Sequence, residues 1–132
     1  MVLCGKISEA GHEVGNHSYS HVDMTALSEV EACEEIKRVQ QLIWKATGKK
    51  CTLFRFPYGK CNVSLVELVK KRGLKAVGWS ICSYDWTGID AETICKNVLE
   101  SKKLKRESIV LLHTTHCETV KALDQLIPAL KG

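Results

Sequence analysis

Short apolar runs of strand length alternate with longer stretches of helical periodicity along almost the whole sequence, and that alternation leaves few folds open. The helical pattern is clearest after Ser28-Glu-Val-Glu31, a capping box in which Ser28 is the N-cap and Glu31 stands three residues on. Behind it Val30, Cys33, Ile36, Val39, Ile43 and Ala46 recur at helical spacing, and Gly48 supplies the stop. Cys51–Arg55 reads as a short buried strand ended by Pro57 and Gly59. Asn62 or Ser64 caps a second helix through Leu65, Val66, Leu68 and Val69, closed by Gly73. Leu74–Ile81 is strand-like, and Asp90 caps a third helix carrying Ile94, Cys95, Val98 and Leu99. Ser108–His113 is a further apolar run of strand length, followed by a fourth helix from about Glu118 to Leu130; His12–Asn16 makes a short first strand. The order β-α-β-α-β-α-β-α predicts parallel strands with helices packed outside, in an open doubly wound sheet or a (β/α) barrel. Both architectures place their reactive residues just past the C-terminal ends of strands.

A chain of 132 residues, 45% hydrophobic, has room for one core, and without repeat, linker or low-complexity tract it is read as a single domain over 1–132. Charged residues interrupt every apolar run before it reaches membrane-spanning length, and Met1–Lys6 lacks the apolar block of a secretory signal. Nineteen Lys+Arg against fifteen Asp+Glu leave a scattered +4, which argues against a nucleic-acid partner. The clusters Lys70–Arg72 and Lys102–Arg106 are expected at helix ends, where cations complement the dipole. Seven cysteines without a C-x-x-C pair speak against a cysteine-held metal and against a disulfide framework, leaving reduced thiols that pack as small hydrophobes.

The strand ends are where chemistry gathers. The first is followed by Asn16-His-Ser-Tyr-Ser-His21, the second by Arg55-Phe-Pro-Tyr-Gly59, the third by Ser83-Tyr-Asp-Trp86, and the fourth ends in His113. His17 and His21 stand four apart, a spacing at which two imidazoles can reach one metal ion. Each residue alone has an ordinary structural explanation: a surface ion pair for Arg55, a turn for Asp85, a half-buried core histidine for His113. Their shared topological position is what selects the functional reading.

These motifs resemble, in order, four of the five motifs of the NodB-type polysaccharide deacetylases, carbohydrate esterase family four. They are H-S-Y-S-H at 17–21, R-F-P-Y-G at 55–59, D-W at 85–86 and L-L-H at 111–113, with Ala10–Asn16 and Ala122–Pro128 agreeing at the flanks. The resemblance implies part of a distorted (β/α) barrel and removal of N-acetyl groups from N-acetylglucosamine-type polysaccharide, such as peptidoglycan or a chitin-like polymer. It implies a divalent metal, Zn²⁺ above all, held by His17 and His21. Arg55 would orient the catalytic base and the backbone N–H of Tyr58 would help hold the oxyanion. Asp85 would tune His113 as the general acid, and Trp86 and Leu111 would wall the acetyl pocket. Amide hydrolysis needs these parts: an acidified water, a stabilised oxyanion and a protonated leaving amine.

The family's first motif, Thr-Phe-Asp-Asp, which supplies a third metal ligand and the base, is expected upstream of Met1, and the closing strand beyond Gly132. The sequence is therefore expected to be the middle and later part of a domain of roughly two hundred residues. Cys82 stands where the family often has an aspartate, Thr114 where an acidic residue is common after the histidine, and Phe56 where proline is frequent. Two readings follow: a metal-dependent deacetylase of which this is a fragment, or an inactive deacetylase-like carbohydrate-binding or interaction module. Full-length members work at the cell envelope or outside it. A sheet lacking its outer strands is expected to expose edges that favour self-association.

Overall fold

The structure, a computed structural model, describes residues 2–131 and divides into two compact units, Met1–Gly78 and Trp79–Gly132.

In the first unit, helix α1 (Val2–Glu9) precedes a loop that touches the sheet only at Asn16. Asn16 forms a parallel bridge to Phe54, its N–H donating to the Leu53 carbonyl at 2.8 Å. The expected first strand over His12–Asn16 is thus a single bridge, and α1 is a helix that the apolar pattern did not announce. A one-turn helix at Met24–Ala26 leads into α2 (Glu29–Thr47). The capping box forms in full: the Glu31 N–H donates to Ser28 Oγ and the Ser28 N–H to Glu31 Oε2 at 2.8 Å. Gly48 ends the helix at φ 67°, a left-handed conformation that other residues enter at a cost. The buried stripe runs through Ala32, Ile36 and Ile43, with Cys33 and Val39 half-buried beside it; Val30, expected on that face, is 75% exposed.

Strand β1 (Leu53–Phe54) follows, then the Pro57–Gly59 turn and α3 (Val63–Lys71), capped by Asn62, whose side chain accepts the Leu65 N–H at 2.9 Å. Strand β2 (Lys75–Ala76) pairs parallel with β1, Leu53 opposite Lys75 and Phe54 opposite Ala76. Met24, Ile36, Phe54 and Val69 centre the core of this unit.

The second unit opens with β3 (Ile81–Cys82), followed by a turn at Asp85–Thr87 and by α4 (Ala91–Leu99), capped by Asp90. Strand β4 (Val110–Leu111) pairs parallel with β3, and α5 (Cys117–Lys131) closes the unit. Ile81, Ile94, Cys95, Val98, Ala122 and Leu126 make its core. The Glu118 carboxylate accepts the Ala91 N–H at 3.1 Å, joining the starts of α5 and α4.

The single strand expected over Leu74–Ile81 is therefore two strands in two ladders. The cause lies at Val77 and Gly78, whose carbonyls accept hydrogen bonds from the Arg55 guanidinium at 3.4 and 3.0 Å instead of bonding a neighbouring strand. Lys70 and Lys71 do lie in the last turn of α3, but Lys102–Arg106 falls beyond the end of α4. All seven cysteines are free thiols, and Cys51 and Cys95 are buried in the cores. No helix among the described residues is long and apolar enough to cross a membrane.

Candidate active site

In the first unit the segment 16–21 leaves the sheet at Asn16, whose buried amide is bonded at both ends. Its Nδ2 donates to the Ile36 carbonyl at 2.8 Å, and its Oδ1 accepts the Ser18 N–H at 3.0 Å. Glu35 on α2 grips the next two residues: Oε2 accepts the N–H groups of Tyr19 and Ser20 at 2.9 and 2.8 Å, and Oε1 accepts the Ser20 hydroxyl at 2.8 Å. Burial works to raise the Glu35 carboxyl, but the bonds from Ser20 and Tyr19 prevail and hold it below the usual range. The Arg38 guanidinium stacks on the Tyr19 ring, 3.6 Å from its centroid.

That support brings His17 and His21 together, with ring centroids 4.8 Å apart and planes at 78°. His17 Nδ1 lies 2.7 Å from the Arg55 carbonyl, which can only accept, so Nδ1 is the donor in this contact. A histidine that donates one ring N–H to a carbonyl has its tautomer and orientation set for metal ligation through the other. The Tyr58 ring meets His21 edge to face at 4.9 Å. Two adjacent imidazoles fit the nitrogen part of a divalent-metal donor set. Among the described residues, however, no group of three His, Cys, Asp or Glu side chains could hold a metal ion.

Backbone strain concentrates in the motif loops. Among the described residues, the non-glycine residues with positive φ are Ser18 (62°), His21 (54°), Tyr58 (58°) and Tyr84 (59°), all within or beside the first three of the four motifs. Such conformations persist where the surroundings over-determine them, and they gather at functional sites.

In the second unit Asp85 is 1% exposed and takes three donors. Its Oδ2 accepts the His113 backbone N–H at 2.6 Å and the Thr119 hydroxyl at 2.8 Å; its Oδ1 accepts His113 Nδ1–H at 2.8 Å. Burial pushes this carboxyl up, and the hydrogen bonds from the His113 side chain, the His113 backbone and Thr119 outweigh it, leaving the carboxyl below the ordinary range. The His113 side chain is 40% exposed, so Nε2 is the ring atom directed away from the carboxylate. The Trp86 ring packs against the imidazole at 5.2 Å and 72°, and Leu111 is buried. Ser83 fixes the Asp85 turn, its hydroxyl donating to the Leu111 carbonyl at 2.7 Å and accepting the Asp85 N–H at 3.3 Å.

The structure thus brings together His17, His21, Arg55 and Tyr58 in one unit and Asp85, Trp86, Leu111 and His113 in the other. Asn16 and Ser83 lie in the strand-end segments the sequence singles out, whereas Glu35 and Thr119 carry no motif of their own, and only a polar residue facing the core could have signalled them.

Parallel two-stranded ladders covered by helices make each unit part of an α/β fold, with polar motif residues just past the strand ends. The chain belongs to the polysaccharide deacetylase family, whose profile matches residues 2–77. It is 32% identical over 130 residues to a peptidoglycan-N-acetylglucosamine deacetylase of Bacillus cereus, a match covering 96% of this chain and 46% of that protein. Among solved structures, a family 4 carbohydrate esterase from Streptomyces lividans in complex with acetate superposes with a TM-score of 0.90 at 35% identity, covering 98% of this chain and 66% of the other. A CE4 family pseudoenzyme from Bacillus anthracis superposes with a TM-score of 0.89 at 30% identity, covering 97% of this chain and 44% of that one. The chain spans less than half the length of the Bacillus cereus relative.

Proposed function

We propose that the chain carries much of the machinery of a metal-dependent deacetylase acting on N-acetylglucosamine-type polysaccharide, with peptidoglycan as the leading substrate. The observation that carries this reading is the buried Asp85 carboxylate clasping His113 through both its ring and its backbone N–H. Such a clasp fixes the tautomer, so that His113 Nε2 is the position from which a proton can pass to a leaving amine.

His17 and His21 would hold the divalent cation, Zn²⁺ in the first instance, with a carboxylate donor and the base supplied from outside these residues. A cation at such a site supplies Lewis-acid polarisation and a more acidic water. The chain's own parts do the rest. The Tyr58 N–H donates to the developing oxyanion, Arg55 aligns the base, and Trp86 and Leu111 wall the acetyl methyl group. A second reading, an inactive deacetylase-like module that binds carbohydrate, is favoured by the similarity to a pseudoenzyme and by Cys82 standing in an aspartate position.

The test is acetate release from N-acetylglucosamine oligomers with zinc present. The 132-residue chain is compared with one extended upstream through an Asp-Asp motif, each with and without His113→Ala. Turnover by the extended chain that His113→Ala abolishes supports the enzyme. Oligosaccharide binding without turnover in either length supports the module.

A further inference from the structure

We infer that Thr119 is a positioning residue for the acid pair, tying the Asp85 carboxylate to helix α5 so that Oδ1 stays aligned with His113 Nδ1. The inference rests on the reading of Asp85 and His113 as that pair. Of the three donors to this carboxylate, two belong to His113 itself, one from its backbone and one from its ring. Both of those donors hold the carboxylate to the chain just past β4, and neither ties it to a helix. The third donor, Thr119 Oγ1 at 2.8 Å, comes from the first turn of α5.

Thr119 is 3% exposed, and its buried hydroxyl donates to Asp85 where a threonine in a helix's first turn more often bonds its own backbone. The opposite side of Asp85 is held by Ser83, which takes the Asp85 N–H. The carboxylate therefore sits between β3's end and α5. Removing the Thr119 hydroxyl leaves buried Oδ2 with one donor and lets the carboxylate turn about the Cβ–Cγ bond. A buried charge-assisted hydrogen bond is also among the stronger ones, so its geometry governs the His113 contact directly.

Thr119→Val keeps the shape and removes the donor; Thr119→Ser keeps the donor. The readout is the low-field Nδ1–H resonance of His113 in proton NMR of the folded chain, with its solvent-exchange rate, and thermal unfolding recorded alongside. Thr119→Val is expected to exchange about tenfold faster, corresponding to one lost charge-assisted bond, and Thr119→Ser is expected to restore the native rate. A merely structural threonine would lower the melting temperature without moving this signal. An unchanged exchange rate in Thr119→Val, with the resonance lost in Asp85→Asn, overturns the inference and leaves the pair intact. A resonance unchanged in both variants overturns the pair itself, and the inference with it.

Discussion

Asp85 shows how a single side chain can carry both stability and chemistry. Its folded carboxyl lies below the ordinary value of about 3.9, so it contributes stability that is fully present above that value and is lost as pH falls through the lowered folded one. Asp85→Asn turns an amide N–H₂ toward donors and should cost about 2–3 kcal/mol at pH 7. Urea titrations of both proteins from pH 7 to pH 2 should show the gap narrowing toward acid; a gap constant over that range would mean the carboxylate is not the source. Glu35 makes a parallel case in the first unit. Glu35→Ala removes the acceptor for the Tyr19 and Ser20 N–H groups, and amide exchange at both should quicken by about tenfold, with Glu35→Gln closer to native. The histidines, arginine and aspartate of the motifs were legible in the sequence because strand ends and spacing announce them. Their supports were not. Glu35 lies in a charge-rich helix and Thr119 in an ordinary first turn, and neither meaning exists before the chain brings it to its partner.

Elements were legible where a local signal decides them and illegible where tertiary contacts do. Ser28, Asn62 and Asp90 each cap the helix expected of them, because an N-cap is settled within four residues. Ser28→Ala should therefore cost about 1 kcal/mol, seen as a lower urea midpoint with an unchanged slope. A changed slope would point instead to an altered denatured state. The strands fared less well. Apolar content marks where a strand can lie, but ladder extent depends on which carbonyls find a neighbour. Arg55 captures those of Val77 and Gly78, and no reading of Leu74–Ile81 alone reveals that. Helix α1 was missed because only Ser8 of it is fully buried, so its sequence lacks a broad apolar stripe. Val30 is exposed because, six residues before Ile36, it lies about 120° round the helix from the buried stripe of Ala32, Ile36 and Ile43.

At the scale of the molecule, the ladders and the cores carry unequal loads. Each ladder is two strands wide, β1 with β2 and β3 with β4, and a two-stranded sheet is marginal unless helices cover it. The helices do this from both cores: Phe54 is 1% exposed and Val98 is fully buried. Phe54→Ala should then cost about 3–5 kcal/mol, a large part of what a domain of this size has in hand. The same narrow ladders bear on association. Strand edges present N–H and C=O groups in a row, and another chain can satisfy them. We propose on that ground that the 132-residue chain self-associates, and that supplying further strands from an extended chain suppresses it. Sedimentation velocity across a hundredfold range of concentration is the measurement. The short chain should gain apparent mass with concentration while the extended chain stays monomeric. Monomer mass for the short chain throughout would mean its strand edges are already covered.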